Sequence, residues 1–450
     1  MVGVSVQEPS SDSYRGISIL TSSWGRLINA SRNRLKVGDR VPVRILRPSM
    51  GGDVIGQLDD GRLVFVRGAA PSDHVLVELT QIKKRFARGQ VVSVQAGPDR
   101  VAPFCPHYAQ CGGCPWQAIP VDTQREALRG EISRRLDQLS RIGAVEATAE
   151  PLATFATDRY RATARLKLEG GVLGYVRPKS NQLMAVDVCY VLNGAVQRLI
   201  EAIRATLLES GFSGNIRLTA FDGNASGTVF LEGVDQDRGR AQVLAEALLG
   251  LEPVHGVGIS SESWTLTLGE CRNRCPETGV VHEAGSFVQA HQQGNLSLVE
   301  FVTDAVGRHQ RVLELFAGSG NFTRALVQAG TEVVAVESDR DAALRLKRMS
   351  DEVGPDTTFE VYAQAAEDFH GGSFATILLD PPRAGFRELA RLLRQTDASR
   401  VVYVSCHLAT LVRDVEPVLE LGWRLSRLKG FDLFPHTGHL EVVAVLERSE

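Results

Sequence analysis

The chain has 450 residues, of which 43% are apolar and 23% charged, as is ordinary for a soluble globular protein of about two to four domains. No apolar run reaches the roughly 18 residues of a membrane helix, and the N-terminus has no secretory signal, so we expect a cytoplasmic protein without a membrane partner. Residues 36–179 carry 22 Lys or Arg and 15 Asp or Glu, whereas the whole chain has a net charge of −3. A basic front part before an acidic remainder indicates a polyanion-binding module joined to a catalytic one, or else a chance imbalance of solvated faces.

The N-terminal part divides into a tail and a small β-barrel. Residues 1–34 are rich in Ser, Asn and Gly without a sustained period, which predicts a disordered tail. Residues 35–95 contain five short apolar segments separated by turns, which predict a barrel of the oligonucleotide-binding type. The predicted strands are Val41–Leu46, Val54–Leu58, Arg62–Val66, Val75–Leu79 and Gly89–Val94. Lys83, Lys84, Arg85 and Arg88 lie between the last two, where they would either meet phosphates or form a solubilising loop.

Two further domains are predicted behind the barrel. Residues 96–290 begin with a cysteine-rich loop and a helix over 121–142, and then mix strands and helices as in an α+β domain. Residues 291–450 alternate helix and strand to the end, which is typical of a doubly wound parallel sheet. The overall fold class is therefore α/β, with an additional barrel and a central α+β domain.

The front cysteines have the spacing of a metal site. Cys105, Cys111 and Cys114 form a C-x5-C-x2-C pattern in a glycine-rich loop, and Cys189 supplies a candidate fourth thiol. The chain contains seven cysteines, and this tight grouping favours a metal or catalytic use over a disulfide framework. By spacing alone, structural zinc and an iron–sulfur cluster are both open.

A glycine turn follows the first strand of the C-terminal domain. The segment 312–322 reads VLELFAGSGNF, and its glycines let the backbone approach a ligand closely. The next strand ends in Glu337, about 20 residues on, where a carboxylate accepts hydrogen bonds from ribose hydroxyls. The three-glycine spacing of dinucleotide sites is absent, so NAD is disfavoured; the turn resembles that of class I methyltransferases, which bind S-adenosylmethionine.

Three chemically distinct groups are delivered to one edge of the predicted sheet. The glycine turn, Asp380 of Asp-Pro-Pro-Arg and Cys406 each follow an apolar strand, and ligands bind outside the carboxyl ends of parallel strands. A buried thiol is the commonest fate of a lone cysteine, but this placement predicts that Cys406 is a nucleophile. Glu441 abuts the last apolar strand, where partial desolvation would raise its pKa as a general base requires.

These motifs together resemble the RNA 5-methyluridine methyltransferases. The resemblance rests on DPPRAG (380–385), VYVSC (402–406) and DLFPHTGHLE (432–441), and it covers nearly all of the chain after residue 36. The front barrel resembles the TRAM RNA-binding domain of the same family. The resemblance implies uracil-C5 methylation in RNA by a class I, Rossmann-like methyltransferase domain, through a covalent adduct of Cys406 with uracil C6.

Individual roles follow from the same resemblance. It implies that Glu441 is the base and that Asp380 contacts both the uracil edge and the cofactor. The residues that match the family's contacts to S-adenosylmethionine are Gln289, Phe316, Gly318, Asn321, Glu337 and Asp380. Two positions depart from the family pattern: His291 stands where the family often carries Asn, and Ala365 stands where it usually carries a polar residue.

The resemblance also bears on metal and substrate. It favours a [4Fe–4S] cluster over zinc on Cys105, Cys111, Cys114 and Cys189. Family members that modify transfer RNA commonly lack the barrel and the cysteine loop, so 23S ribosomal RNA is the expected partner of a monomer that does not act on DNA. The alternatives are a transfer-RNA uridine methyltransferase and an iron–sulfur RNA-binding protein without methyltransferase activity.

Overall fold

The structure is a computed structural model. It describes residues 35–108, 110–178, 180–233, 237–308, 310–353 and 359–449, so the tail predicted for residues 1–34 lies outside the described residues. The chain forms two compact units. One contains the chain up to Ala127 together with His436–Gly438, and the other contains Leu128–Pro435 and His439–Glu450. The domain boundaries expected at residues 95 and 290 remain predictions.

The first unit contains the predicted barrel. Its five strands close in the order β1-β2-β3-β5-β4, and all five lie where the apolar segments predicted them. Their bounds are β1 Arg40–Pro48, β2 Val54–Gln57, β3 Leu63–Val66, β4 His74–Ile82 and β5 Phe86–Gln95. Alternate side chains such as Val75, Val77 and Leu79 are fully buried, because successive residues of a strand point to opposite faces.

One of the four basic residues predicted to lie between the last two strands of the barrel lies within a strand instead. Lys83, Lys84 and Arg85 occupy the turn between β4 and β5, as the sequence indicates. The Arg88 guanidinium donates to Asp53 at 2.7 Å and lies over the Phe65 ring at 5.3 Å from its centroid. Arg88 is therefore part of the barrel's own structure, and the turn is the better candidate for contact with phosphate.

The second unit contains, within its described residues, a central seven-stranded sheet in the order β12-β11-β10-β9-β6-β7-β8. Helices α2 and α3 cover it, and their apolar faces bury Val196, Leu199 and Leu244 among the sheet's Leu, Ile and Val side chains. The strands are β6 Thr163–Glu169, β7 Val172–Val176, β8 Leu183–Ala185, β9 Gly214–Thr219, β10 Gly227–Glu232, β11 Val254–Ser260 and β12 Thr265–Gly269. The helices are α1 Val121–Leu139, which precedes the sheet, α2 Gly194–Glu209 and α3 Arg238–Leu249.

A second sheet of the same unit carries the predicted site. Its described strands have the order β17-β16-β15-β18-β19-β21-β20, and all neighbours are parallel except β21, which is antiparallel to both β19 and β20. The order reverses at β15, and this is the switch point at which doubly wound sheets open a ligand crevice. The strands are β15 Arg311–Leu315, β16 Glu332–Glu337, β17 Phe359–Ala363, β18 Thr376–Leu379, β19 Arg400–Ser405, β20 Trp423–Phe431 and β21 Glu441–Arg448.

Helices on both faces and a short hairpin complete this region. The inner strands β18 and β19 are apolar and buried on both faces, as a covered parallel sheet requires. The helices are α4 Gln292–Val306, α5 Thr323–Gln328, α6 Arg340–Val353, α7 Leu389–Arg394 and α8 Leu408–Leu419. The hairpin strands are β13 Arg272–Arg274 and β14 Val281–Glu283, and a 3-10 turn covers Ala366–Asp368.

Candidate active site

The glycine turn after β15 is built for close approach of a ligand. Phe316, Gly318 and Gly320 all have positive φ, at 60°, 57° and 89°. Phe316 is a bulky residue in this left-handed region, a strained conformation that surrounding structure must hold; its ring packs edge-on against Phe386 at 5.5 Å. A Cβ on Gly318 would meet nothing within 4 Å, so the backbone there faces open space.

Glu337 closes the turn from the next strand. Its carboxylate accepts the Gly318 N–H at 2.8 Å and the Asp339 N–H at 2.7 Å. It therefore joins the glycine turn to the end of β16 and retains lone pairs for ribose hydroxyls. The predicted role fits this position.

Asn321 is held by a residue that the sequence did not single out. The Asn295 amide donates to Asn321 Oδ1 at 2.8 Å, and the Asn321 amide donates back to Asn295 Oδ1 at 3.0 Å. Asn295 is buried on α4 and nearly inaccessible to solvent. This reciprocal pair fixes the orientation of Asn321, which leaves one N–H and one lone pair for a ligand.

The strand register brings the predicted nucleophile and base together. Cys406 follows β19, and Ser405 pairs with Val442 of the antiparallel strand β21. Glu441 begins that strand, so the register places it opposite Cys406 at the same sheet edge. Asp380 follows the neighbouring strand β18 at this edge.

Burial sets the protonation of these groups. It raises the pKa of the Glu441 carboxyl well above its usual value; the charge of Asp380 adds to the rise and that of Arg383 opposes it. Burial also raises the pKa of Asp380, although this side chain borders the open cleft and keeps some solvent contact. The Cys406 pKa is raised by burial first and then by Glu441 and Asp380, while Arg383 lowers it. The resting thiol is thus largely protonated at neutral pH, and positive charge favours the thiolate.

One cleft in the second unit collects the predicted residues. Its volume is about 1240 Å³, above the roughly 300–1,000 Å³ of most single-ligand pockets, so it has room for a cofactor and a nucleoside. All eight residues predicted for the reaction and the cofactor line it: Gln289, Phe316, Gly318, Asn321, Glu337, Asp380, Cys406 and Glu441. Arg383, which the sequence reasoning quoted but gave no role, lines it too. Its position three residues after Asp380 was the available signal.

A buried carboxyl lies on the strand that leads into the glycine turn. Glu314 on β15 is 1% exposed, and neither of its oxygens makes a hydrogen bond of good geometry among the described residues, although the hydroxyl and backbone N–H of Thr323 interact with it. Burial raises its pKa to about 8; Thr323 partly offsets the rise, while Asp380 and Glu337 add to it. This burial was not predictable, because Glu314 stands in the sequence as one polar residue within an apolar strand.

One of the two departures from the family pattern, His291, has a structural role. His291 is the N-cap of α4: its Nδ1 accepts the Gly294 N–H at 3.2 Å, and its Nε2 lies 3.1 Å from the Ala156 carbonyl. Its ring stacks on Tyr160 at 4.7 Å. Ala365 precedes the 3-10 turn, with no side-chain hydrogen bond to that turn.

A metal cluster on the four cysteines remains a prediction. No three His, Cys, Asp or Glu side chains in that part of the chain are grouped so that they could hold a metal ion. Cys105, Cys111 and Cys114 occupy one loop of the first unit and are partly buried. Cys189 belongs to the second unit, where it packs against the core of the central sheet. Four thiolates are suitable donors for an iron–sulfur cluster.

Within the described ranges, no helix is long and apolar enough to cross a membrane.

Family models match both ends of the chain. One described as "TRAM domain" matches residues 34–92, and one described as "tRNA (Uracil-5-)-methyltransferase" matches residues 357–449. Among solved structures, a tRNA (uracil-54, C5)-methyltransferase of Pyrococcus abyssi in complex with S-adenosyl-L-homocysteine is 23% identical, with a TM-score of 0.70 over 90% of this chain and 99% of that one. This likeness confirms the predicted fold.

Sequence relatives extend the match to the whole architecture. A 23S rRNA (uracil(1939)-C(5))-methyltransferase RlmD of Shewanella sediminis is 32% identical over 86% of this chain and 91% of its own length. The protein of the same name from Vibrio cholerae is 33% identical over 90% of this chain and 95% of its own length. Identity at this level over nearly the full length shows that the chain belongs to the family of RNA uracil-C5 methyltransferases.

Proposed function

We propose that the chain methylates C5 of a uridine in RNA, with S-adenosylmethionine as the methyl donor. The observation that carries the proposal is the pairing of β19 with β21, which sets Glu441 opposite Cys406 at the sheet edge that also bears the glycine turn and Asp380. Cofactor binding alone does not require a thiol and a desolvated carboxyl in this register.

Cys406 and Glu441 divide the chemistry between them. Uracil C5 is a poor nucleophile, and addition of the Cys406 thiolate to C6 turns the ring into an enolate that is nucleophilic at C5. Once C5 carries the methyl group, Glu441 removes the C5 proton, the C5–C6 double bond re-forms, and the thiolate leaves. Glu441 acts in this step in its ionised form, and its raised pKa makes that carboxylate a stronger base.

Asp380 suits the edge of the uracil ring. Because its pKa is raised, a proton is available on Asp380 near neutral pH. It can therefore donate a hydrogen bond to the oxygen where enolate charge develops, or accept one from the ring N–H.

The residues of the glycine turn fit the adenosyl cofactor. S-adenosylmethionine would supply an electrophilic methyl group on a sulfonium. Glu337 would accept from its ribose, and Gly318, Phe316, Asn321 and Gln289 would line its remaining length. The open space over Gly318 and the φ of Phe316 are the structural features that favour this.

The proposed substrate is 23S ribosomal RNA in the cytoplasm. The relatives that match most of the chain carry that substrate in their names, and the barrel presents a basic turn at Lys83, Lys84 and Arg85. Phosphate contacts from such a turn would be independent of sequence. The target base would leave its stack to reach Cys406, since C6 is inaccessible within a helix. A monomer that does not act on DNA remains our expectation.

Methyl transfer to defined RNAs tests the proposal. Purified protein is incubated with tritiated S-adenosylmethionine and unmodified 23S ribosomal or transfer RNA in separate reactions, and the RNA is digested to nucleosides. We expect label in 5-methyluridine from ribosomal RNA, loss of label with Cys406→Ala, and full label with Cys271→Ala. Cys271 is a matched control, because its thiol borders the same cleft but is hydrogen-bonded to the Val257 and Leu268 carbonyls. Label in transfer RNA alone would overturn the substrate, and label in neither RNA would favour an RNA-binding protein without this activity.

A [4Fe–4S] cluster on Cys105, Cys111, Cys114 and Cys189 is a separate proposal, supported by the four thiols and the family resemblance. We assign no step of the reaction to it. Iron, acid-labile sulfide and zinc are measured after anaerobic purification. About four iron and four sulfide per chain, lost with Cys111→Ser, would support the cluster. One zinc per chain or no metal would refute it.

A further inference from the structure

Asp414 is a buried carboxylate that joins three elements around the active site. Its side chain is fully inaccessible to solvent. Its Oδ2 accepts the Phe386 N–H at 2.7 Å and the Tyr403 hydroxyl at 2.8 Å, and its Oδ1 accepts the Arg413 Nε–H at 2.8 Å. Phe386 belongs to the loop after β18, Tyr403 to β19, and Asp414 itself to α8. Both carboxyl oxygens are hydrogen-bonded, which offsets the cost of burying a polar group this deeply.

The loop after β18, residues 380–386, is shaped around this carboxylate. Gly385 has φ of +75°, and a Cβ there would lie 2.2 Å from Asp414 Oδ2. Arg413 adds a second attachment, because its Nη2 donates to the Ala384 carbonyl at 2.6 Å. We refer to Arg413 and Asp414 together as the α8 clamp. The loop backbone therefore rests directly on the clamp just after Arg383.

Arg383 depends on that backbone for its position. Within the described part of the chain, its exposed guanidinium makes no hydrogen bond or ion pair, although it lines the cleft. The positive charge of Arg383 lowers the pKa of Cys406 and of Glu441. The negative charges of Asp380 and Glu441 raise the pKa of Cys406. Arg413 is not among the charges that affect Cys406. The clamp can thus influence the thiol through the placement of Arg383.

We infer that Arg413 and Asp414 are positioning residues that hold the 380–386 loop so that Arg383 faces Cys406 and Glu441. This inference deepens the proposed function and rests on it for its importance to catalysis. Asp380 starts the same loop. The α8 clamp therefore positions both Asp380, which suits the uracil edge, and Arg383, whose charge favours the Cys406 thiolate.

Thiol reactivity tests the inference without RNA or cofactor. The rate of Cys406 alkylation by iodoacetamide is measured between pH 6 and 10, with the Cys406 peptide quantified by mass spectrometry. Because the thiolate is the reactive form, we expect Arg383→Met and Arg413→Gln each to slow alkylation at pH 7.5 by about threefold or more and to shift the profile to higher pH. In the Arg383→Met background, Arg413→Gln should have no further effect, because its influence acts through Arg383.

The control is an arginine with similar local bonding away from the loop. Arg391 on α7 pairs with Glu388 at 2.8 Å and donates to the Glu367 carbonyl at 3.1 Å, so Arg391→Gln should leave the profile unchanged. Asp414→Asn and the milder Tyr403→Phe test the carboxylate itself, and both should shift the profile in the same direction as Arg413→Gln.

An unshifted profile in folded Arg413→Gln would overturn the inference, as would an effect of equal size in the Arg383→Met background. The measurement involves no methyl transfer, so failure of the proposed function would leave these rates interpretable.

Discussion

Replacement of Glu314 by Gln should stabilise the protein at alkaline pH. Glu314 is buried near the end of β15, and neither carboxyl oxygen makes a hydrogen bond of good geometry among the described residues. Burial raises its pKa from 4.5 to about 8, so the folded state holds this proton more tightly than the unfolded chain does. The resulting contribution to stability is complete below pH 4.5 and is lost as the pH rises from 4.5 to 8.

The size of the effect follows from the two pKa values. A shift of one unit corresponds to about 1.4 kcal/mol, so the wild-type protein loses about 3 kcal/mol of unfolding free energy by pH 7 and about 4 kcal/mol by pH 8. At pH 5 the loss is only about 1 kcal/mol. Gln is neutral at every pH and matches the protonated carboxyl in shape, so Glu314→Gln removes this loss.

Calorimetric melting at pH 5, 6, 7 and 8 measures the difference. The relevant transition is the one that S-adenosylhomocysteine raises, since a ligand stabilises the unit that binds it. Relative to wild type, the melting temperature of Glu314→Gln should rise by roughly 6–10 °C between pH 5 and pH 8. Glu360→Gln, on the partly exposed strand β17, is the control and should parallel wild type. Parallel curves for Glu314→Gln would refute the reasoning.

Three further predictions concern the site and its supports. Glu441→Gln should form the Cys406 adduct but release product at least about 100-fold more slowly, because no base is present to remove the C5 proton. Single-turnover kinetics with gel detection of the adduct measure this, and product release at the wild-type rate would contradict it. Burial lowers the pKa of His291, so its contribution to stability is present above pH 6.5 and is lost as the pH falls below it. His291→Asn, which keeps a capping side chain, should therefore show a smaller drop in melting temperature between pH 7.5 and 5 than wild type. An equal drop would contradict a lowered pKa at His291. Asn295→Ala should weaken S-adenosylhomocysteine binding about tenfold, because Asn321 loses the partner that orients it. Titration calorimetry measures the Kd, and an unchanged value would contradict a role for Asn321 in cofactor binding.

Much of the site was predictable because its residues follow strands in sequence. Asp380 and Cys406 each come directly after a short apolar run, and parallel strands deliver such residues to a common edge. Glu441 begins a strand rather than ending one, and it reaches the same edge because β21 runs antiparallel to β19. The barrel was predictable for a similar reason, since its alternating apolar residues point to one face.

The remaining features depend on contacts between residues far apart in the chain. Asn295 meets Asn321 across 26 positions, and Asp414 meets Phe386 across 28. Neither pair has a local pattern, because an Asn or Asp on a helix is most often solvated. The lack of a hydrogen bond of good geometry at Glu314 was equally hidden, since it depends on what the folded sheet places around it among the described residues.

The most direct test of the central claim is to trap Cys406 on RNA in which the target uridine is replaced by 5-fluorouridine. Fluorine cannot leave as a proton, so the reaction should stop after methyl transfer with the enzyme still bound. Mass spectrometry after digestion should find a methylated fluorouridine on the peptide that contains Cys406, and no adduct with Cys406→Ala. Methylation of natural RNA without any trapped adduct, or an adduct on another cysteine such as Cys271, would contradict the account.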